Sequence, residues 1–104
     1  MTKIVFYEKD DKLTGFLIKD HSGYDEEGYD IVCASVSSAA YLTANTLTEI
    51  VGAKADVDLK EAYFSFTLKD KINEGQSHLK GLKLHLESLA GDYDEYITCK
   101  TETV

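Results

Sequence analysis

The stretch AYFSFTL at residues 62–68 alternates apolar side chains with hydroxyl-bearing ones. Successive side chains of a β-strand point to opposite faces of a sheet, so this alternation predicts a strand with one buried face. Residues 54–59 are predicted to form the strand before it, with the hairpin turning at Lys60–Glu61. The apolar face of such a sheet must be covered by another layer of secondary structure, and the sequence on either side of the hairpin predicts helices that can form this layer.

Two helices are predicted on either side of this hairpin. Residues 73–90 carry leucines at helical spacing, and Gly91 is expected to end that helix. The other helix is predicted to begin at Asp30, a good N-cap residue, and to end at Gly52. Its apolar side chains fall near one face at helical spacing: Val32, Val36, Ala40, Leu47 and Val51.

The remaining segments predict further strands. Residues 3–8 and 13–19 are expected to form a hairpin across a charged turn, and residues 93–101 the last strand. The order β-β-α-β-β-α-β predicts an α+β two-layer sandwich, with two helices on one face of a mainly antiparallel sheet. The 104 residues suit a single domain, 1–104.

The charge balance argues against a nucleic-acid partner and favours a basic one. Nineteen acidic residues face eleven basic ones, all lysine, for a net charge of -8. We therefore expect no direct nucleic-acid binding, which relies on arginine and a basic surface. An acidic surface favours a basic partner, although acidity also serves solubility alone.

Other classes of site and location are expected to be absent. The two cysteines lack zinc-ligand spacing, and we expect neither a metal nor a cofactor. No long apolar run suggests a membrane span, and the first residues resemble a strand rather than a signal peptide. We therefore expect a cytoplasmic protein without a Cys33–Cys99 disulfide.

Cys33 is the strongest candidate for chemistry. With Asp30 as N-cap it falls at the third helical position, where the helix dipole and unpaired N–H groups favour a thiolate. The same N–H groups are candidates to receive an oxyanion. The alternative is an inert, buried cysteine.

A glycine-containing acidic loop over residues 20–29 precedes this helix. His21 in that loop is the candidate general base for Cys33. Gly23 and Gly28 are candidate hinges for loop closure. Asp30 is expected to cap the helix, or alternatively to orient His21.

Further candidates surround this pair in the sequence. Ser37 lies one turn beyond Cys33 and is expected either to support the site or to pack against the sheet. Three tyrosines are candidates to line a substrate groove: Tyr24, Tyr29 and Tyr41. His78 and His85 are too far apart for a metal pair and are expected at the surface.

The runs HSGY at 21–24 and GYDIVCASVS at 28–37 resemble the signature of the ribosomal-processing cysteine proteases, the Prp family. The resemblance extends over the whole chain in length and element order. It implies a homodimeric cysteine endopeptidase that removes an N-terminal extension from large-subunit ribosomal protein twenty-seven, without a cofactor. By position, Cys33 matches the nucleophile, His21 the base, and Asp30 and Ser37 the supporting residues.

One residue departs from the family pattern. Asp20 stands where the family usually has glycine, immediately before the histidine. Two other classes of function stay open at this point. One is a non-catalytic ribosome-associated module that binds a basic tail, and the other is a thiol-dependent acyl-transfer enzyme.

Overall fold

A computed structural model of the chain describes residues 1–26 and 29–104. The strands are β1 (Thr2–Lys9), β2 (Lys12–Lys19), β3 (Ala55–Lys60), β4 (Tyr63–Leu68) and β5 (Ile97–Thr103), and the helices are α1 (Ile31–Asn45) and α2 (Ile72–Asp92). The predicted order of elements is confirmed. The Gly28 hinge prediction lies outside the described residues.

The five strands form one mixed sheet in the order β3-β4-β2-β1-β5. Three neighbouring pairs are antiparallel, and β5 runs parallel to β1. Asp10 and Asp11, both with positive φ, form the turn between β1 and β2. The predicted α+β, mainly antiparallel sheet is therefore confirmed.

The core lies between the helices and one face of the sheet. Phe16 is fully buried at its centre, with its ring stacked on Phe66 at 5.4 Å between centroids. From α2, Leu79, Leu82 and Leu86 are buried, as their spacing predicts. From α1, the buried side chains include Val32, Val36 and Ala40.

The ends of the helices differ in part from the predictions. After α1 the chain continues as a π-helical turn, Thr46–Ile50, before it reaches Gly52 with φ of 78°. The predicted stop at Gly52 is confirmed, since a left-handed residue favours glycine. The predicted stop at Gly91 is wrong, because α2 continues through Asp92. Glycine ends a helix only where the backbone turns left-handed, and Gly91 keeps a negative φ.

Candidate active site

Cys33 occupies the first turn of α1. Asp30 is the N-cap, and its carboxylate Oδ1 accepts a hydrogen bond from the Cys33 backbone N–H at 2.9 Å. The predicted cap is therefore confirmed, and Cys33 lies at the third helical position. Its side chain is partly buried.

Ser22 connects the β2–α1 loop to this helix end. Its backbone N–H donates to Cys33 Sγ at 3.1 Å, and its hydroxyl donates to Asp30 Oδ2. The hydroxyl also accepts the Tyr24 N–H at 3.1 Å. Ser22, Asp30 and Cys33 therefore form a closed ring of hydrogen bonds.

Ser22 was not among the site residues predicted from the sequence. Its only signal was its place in the HSGY run beside His21. The side chain is just 2% exposed. A buried hydroxyl requires hydrogen-bond partners, and here those partners lie at the candidate nucleophile.

The Asp30 carboxylate is held ionised by this ring. Its burial opposes ionisation, but hydrogen bonds from Ser22 Oγ and from the Cys33 and Val32 backbone outweigh burial and hold its pKa below the usual 3.8. In the described part of the chain, Asp30 therefore caps the helix and holds Ser22, while the His21 imidazole lies near Glu61 instead. The Cys33 backbone N–H is also not free to bind an oxyanion in this structure, because it already donates to Asp30.

His21 lies at the mouth of the same cleft as Cys33. Its side chain is 49% exposed, and Nε2 is 4.0 Å from Glu61 Oε1. The side-chain hydrogen bonds of Cys33 found within residues 1–26 and 29–104 go to Ser22 and Thr2 rather than to His21. The structure therefore brings the two residues to one cleft with the imidazole turned toward Glu61.

The cleft has a volume of about 330 Å³. Ser37 and Tyr41 both line it. The Tyr41 ring packs on Phe64 with centroids 5.2 Å apart. Leu59, Tyr63 and Phe64 from the second hairpin also line the cleft, as do Thr2 and Ile18 from the first.

Two of the predicted groove tyrosines lie elsewhere. Tyr24 packs edge-on against Tyr93 and Tyr96, with centroids 5.8 and 5.2 Å away, so its ring is not in the cleft. Tyr29 is 73% exposed and is likewise absent from the cleft lining. The predictions for these two residues are wrong, because nearness in sequence to Cys33 does not determine the direction of a loop side chain.

The backbone before His21 is left-handed. Asp20 has a φ of 70°, a conformation that glycine adopts without strain, and aspartate tolerates it better than most residues. The Asp20 N–H donates to the Ala62 carbonyl at 2.9 Å, and its carboxylate lies 3.4 Å from Lys3 Nζ. Gly23, the described candidate hinge, has a φ of 78° and open space around its Cα.

Cys99 has a different environment from Cys33. It lies on β5, partly buried against the core. Burial, and secondarily the Glu87 carboxylate, raises the pKa of Cys99 to about 11. This thiol is therefore protonated and poorly nucleophilic at neutral pH.

The described residues contain neither a candidate membrane span nor a candidate metal cluster. Neither of its helices combines the length and the apolar character that crossing a membrane requires. The residues described also contain no group of three or more His, Cys, Asp or Glu side chains placed to hold a metal ion.

Comparison with known proteins places this chain in a family. Residues 1–98 match the family model described as cysteine protease Prp. The ribosomal processing cysteine protease Prp of Bacillus subtilis is 24% identical over 102 residues, which cover 91% of each chain. The protein of that name from Staphylococcus aureus is 26% identical over 89 residues, covering 83% of this chain and 84% of the relative.

Solved structures share the fold of this chain. The crystal structure of Prp from S. aureus with a covalently linked product peptide superimposes with a TM-score of 0.91 at 23% identity, covering 98% of this chain and all of the other. SMU.848 from Streptococcus mutans gives a TM-score of 0.84 at 23% identity, covering all of this chain and 96% of the other. From the family match over nearly the whole sequence, the chain belongs to the Prp family of ribosomal-processing cysteine proteases.

Proposed function

We propose that this protease removes the N-terminal extension of large-subunit ribosomal protein twenty-seven, with Cys33 as nucleophile and His21 as base. The observation that carries the proposal is the position of Cys33 Sγ. It lies at a helix N-terminus, borders a cleft, and accepts the Ser22 N–H at 3.1 Å. An N–H donor and a helix dipole both favour a negatively charged sulfur.

The proposed reaction has two stages. His21 takes the Cys33 proton, and the thiolate attacks the scissile carbonyl carbon to form a tetrahedral intermediate. His21 then gives the proton to the leaving amine, which leaves a thioester on Cys33. Water, deprotonated by His21, hydrolyses the thioester and releases the new carboxylate and the free thiol.

This sequence requires His21 to move from Glu61 toward the sulfur. Catalytic hydrogen bonds are commonly long without substrate and shorten when substrate binds. We propose that the bound peptide displaces the exposed imidazole from Glu61, with Gly23 as the hinge. Its left-handed φ and open surroundings suit that role.

The cleft suits an apolar segment of a basic protein. Leu59 is 51% exposed on β3 and continues the wall formed by Tyr41 and Phe64. Aromatic and aliphatic side chains on this wall suit the extension of the family, which ends in a pair of aromatic residues and a small one. The net charge of -8 attracts a basic ribosomal protein over longer distances.

The test is cleavage of a synthetic peptide that spans the end of the extension. Reduced protein is incubated with the peptide in H₂¹⁸O, and the products are weighed by mass spectrometry. We expect two fragments, with ¹⁸O in the new carboxyl terminus. Cys33→Ala is expected to abolish cleavage, while Cys99→Ala, the matched cysteine control, retains it.

The same experiment separates the two alternatives. A non-catalytic module would bind the peptide without cutting it and would be indifferent to Cys33 alkylation. An acyl-transfer enzyme would pass the acyl group to an added amine and incorporate no ¹⁸O. Uncut peptide with freshly reduced protein, or cleavage that persists in Cys33→Ala, contradicts the proposal.

We also propose that the protein is a cytoplasmic homodimer, as in the family that it resembles. Light scattering at micromolar concentration is expected to give twice the mass of the chain. A monomer under those conditions would contradict this part of the proposal without affecting the cleavage test.

A further inference from the structure

Thr2 is a buried polar residue that the proposed reaction does not use. It begins β1, and its backbone N–H donates to the Tyr96 carbonyl at 2.8 Å. The side chain is only 2% exposed. A hydroxyl buried to this extent lowers the stability of the fold unless its hydrogen bonds are made.

The Thr2 hydroxyl has contacts on both sides of the candidate site. Oγ1 donates to the Asp20 carbonyl at 2.9 Å and lies 3.8 Å from Cys33 Sγ. A hydroxyl has one proton and two lone pairs. Since that proton goes to Asp20, a lone pair faces the sulfur and accepts from the neutral thiol.

Ionisation of Cys33 reverses the balance between these two contacts. A thiolate repels the lone pair but is a charged acceptor, and charged acceptors form stronger hydrogen bonds than neutral carbonyls. Rotation about one side-chain bond turns the Thr2 proton from Asp20 to the sulfur. The proton stays on Thr2 throughout, and the Cys33 proton leaves for the base.

The contact that is lost controls the segment before His21. Asp20 immediately precedes His21 and is held with a φ of 70°. Its carbonyl is held by Thr2, and its N–H by the Ala62 carbonyl. Release of the carbonyl frees one of the two backbone restraints on this strained residue.

We propose that Thr2 is a positioning residue that couples the protonation state of Cys33 to the His21 segment. With the thiol neutral, its hydroxyl fixes the Asp20 carbonyl and keeps His21 at the mouth of the cleft. Once the bound peptide has brought His21 to the sulfur and the thiolate has formed, the hydroxyl donates to Sγ, and the released segment allows the protonated His21 to stay beside the sulfur. The effect on His21 rests on the proposed function, whereas the effect on Cys33 does not.

The first measurement uses no peptide. Iodoacetamide modification of Cys33 is followed at neutral pH in a Cys99→Ala background. Thr2→Val keeps the shape of the side chain but has no hydroxyl, and we expect about fivefold slower modification. Thr2→Ser keeps the hydroxyl and is expected to react within twofold of the parent.

Thr43→Val is the matched control. Thr43 is also buried, and its hydroxyl donates to the Ala39 carbonyl within α1, away from the sulfur. We expect its loss to leave the modification rate unchanged. If Thr2→Val does not fold, Thr2→Ala takes its place, since it adds no atoms to the site.

The second measurement is steady-state cleavage of the extension peptide. Thr2→Val is expected to lower kcat with little change in KM, and Thr2→Ser to restore it. Folded Thr2→Val that reacts with iodoacetamide at the parent rate, or Thr2→Ser that is as slow as Thr2→Val, would overturn the proposal. Absence of peptide cleavage in every variant would instead contradict the proposed function.

Discussion

The Ser22 backbone N–H donates to Cys33 Sγ across 3.1 Å, joining the β2–α1 loop to the first turn of α1. Because the Ser22 hydroxyl also donates to the Asp30 carboxylate, the loop, the helix cap and the sulfur form one unit. A change at any of these three residues is therefore expected to affect the other two.

Cys33 is expected to react with iodoacetamide faster than Cys99 near neutral pH. Cys33 has an N–H donor at its sulfur, whereas burial and Glu87 raise the pKa of Cys99 to about 11. Limited modification followed by peptide mapping measures both rates in one sample. Equal or reversed rates would count against Cys33 as the nucleophile.

His21→Ala is expected to lower turnover of the extension peptide by about 10²–10⁴-fold, the usual contribution of a general base. The free energy of unfolding is expected to change little, because the side chain is half exposed. His85→Ala, which alters an exposed histidine on α2, is the control and should leave turnover unchanged. An unfolded His21→Ala protein would identify the residue as structural.

Asp30→Ala is expected to lower the free energy of unfolding by about 1–2 kcal/mol at neutral pH, because it removes the helix cap. The folded-state pKa of Asp30 is depressed, so the carboxylate stabilises the fold above its usual pKa of 3.8. This contribution is lost as the pH falls through the lower folded-state pKa.

Denaturation of wild type and Asp30→Asn from pH 7 to pH 2 tests whether the stabilisation by the Asp30 carboxylate decreases with falling pH. The stability difference between them should shrink as the pH falls. A difference that is constant with pH would mean that the Asp30 charge does not contribute.

Asp20→Gly is expected to be more stable than Asp20→Ala by about 1 kcal/mol, because the backbone there is left-handed. Lys80, on the exposed side of α2, provides the opposite case, where alanine should be the more stable of the two. Chemical denaturation of the glycine and alanine variants at both positions measures which one is the more stable. If alanine is the more stable at Asp20 as well, the backbone there is not strained.

Gly15→Ala is expected to destabilise the sheet by about 2–3 kcal/mol. An added Cβ would collide with the Phe66 carbonyl oxygen and lie 3.0 Å from the Thr67 Cα, where β2 pairs with β4. Gly81→Ala is the control, since open space surrounds that helical position and alanine favours a helix. Thermal unfolding should show opposite shifts for the two variants.

Local pattern explains which predictions held. The alternation at 62–68 and the leucine spacing of α2 report which faces are buried, so the strands and helices agreed to within a few residues. Asp30 as N-cap and Gly52 as the helix end are also local, because each depends on backbone geometry within one turn. The prediction that α2 ends at Gly91 failed because the chain stays helical through Asp92.

The features of the site also differ in whether they depend on local sequence or on tertiary packing. The sequence predicted Cys33 in the first turn of α1. That prediction requires only the N-cap, Asp30, which lies three residues before it. It did not foresee the Ser22 donor or the Thr2 contact, because both depend on where β1 and the β2–α1 loop meet α1. Tyr24 likewise packs on Tyr93 and Tyr96, which lie about seventy residues away in the chain.

The sequence by itself determined the element order, the buried faces and the position of Cys33 at a helix start, because periodicity and capping act over a few residues. Only the tertiary structure decided what surrounds the sulfur. The Ser22 N–H, the Thr2 hydroxyl and the Glu61 carboxylate near His21 come from separate elements. Their distances follow from the packing of sheet against helix, which no local pattern encodes.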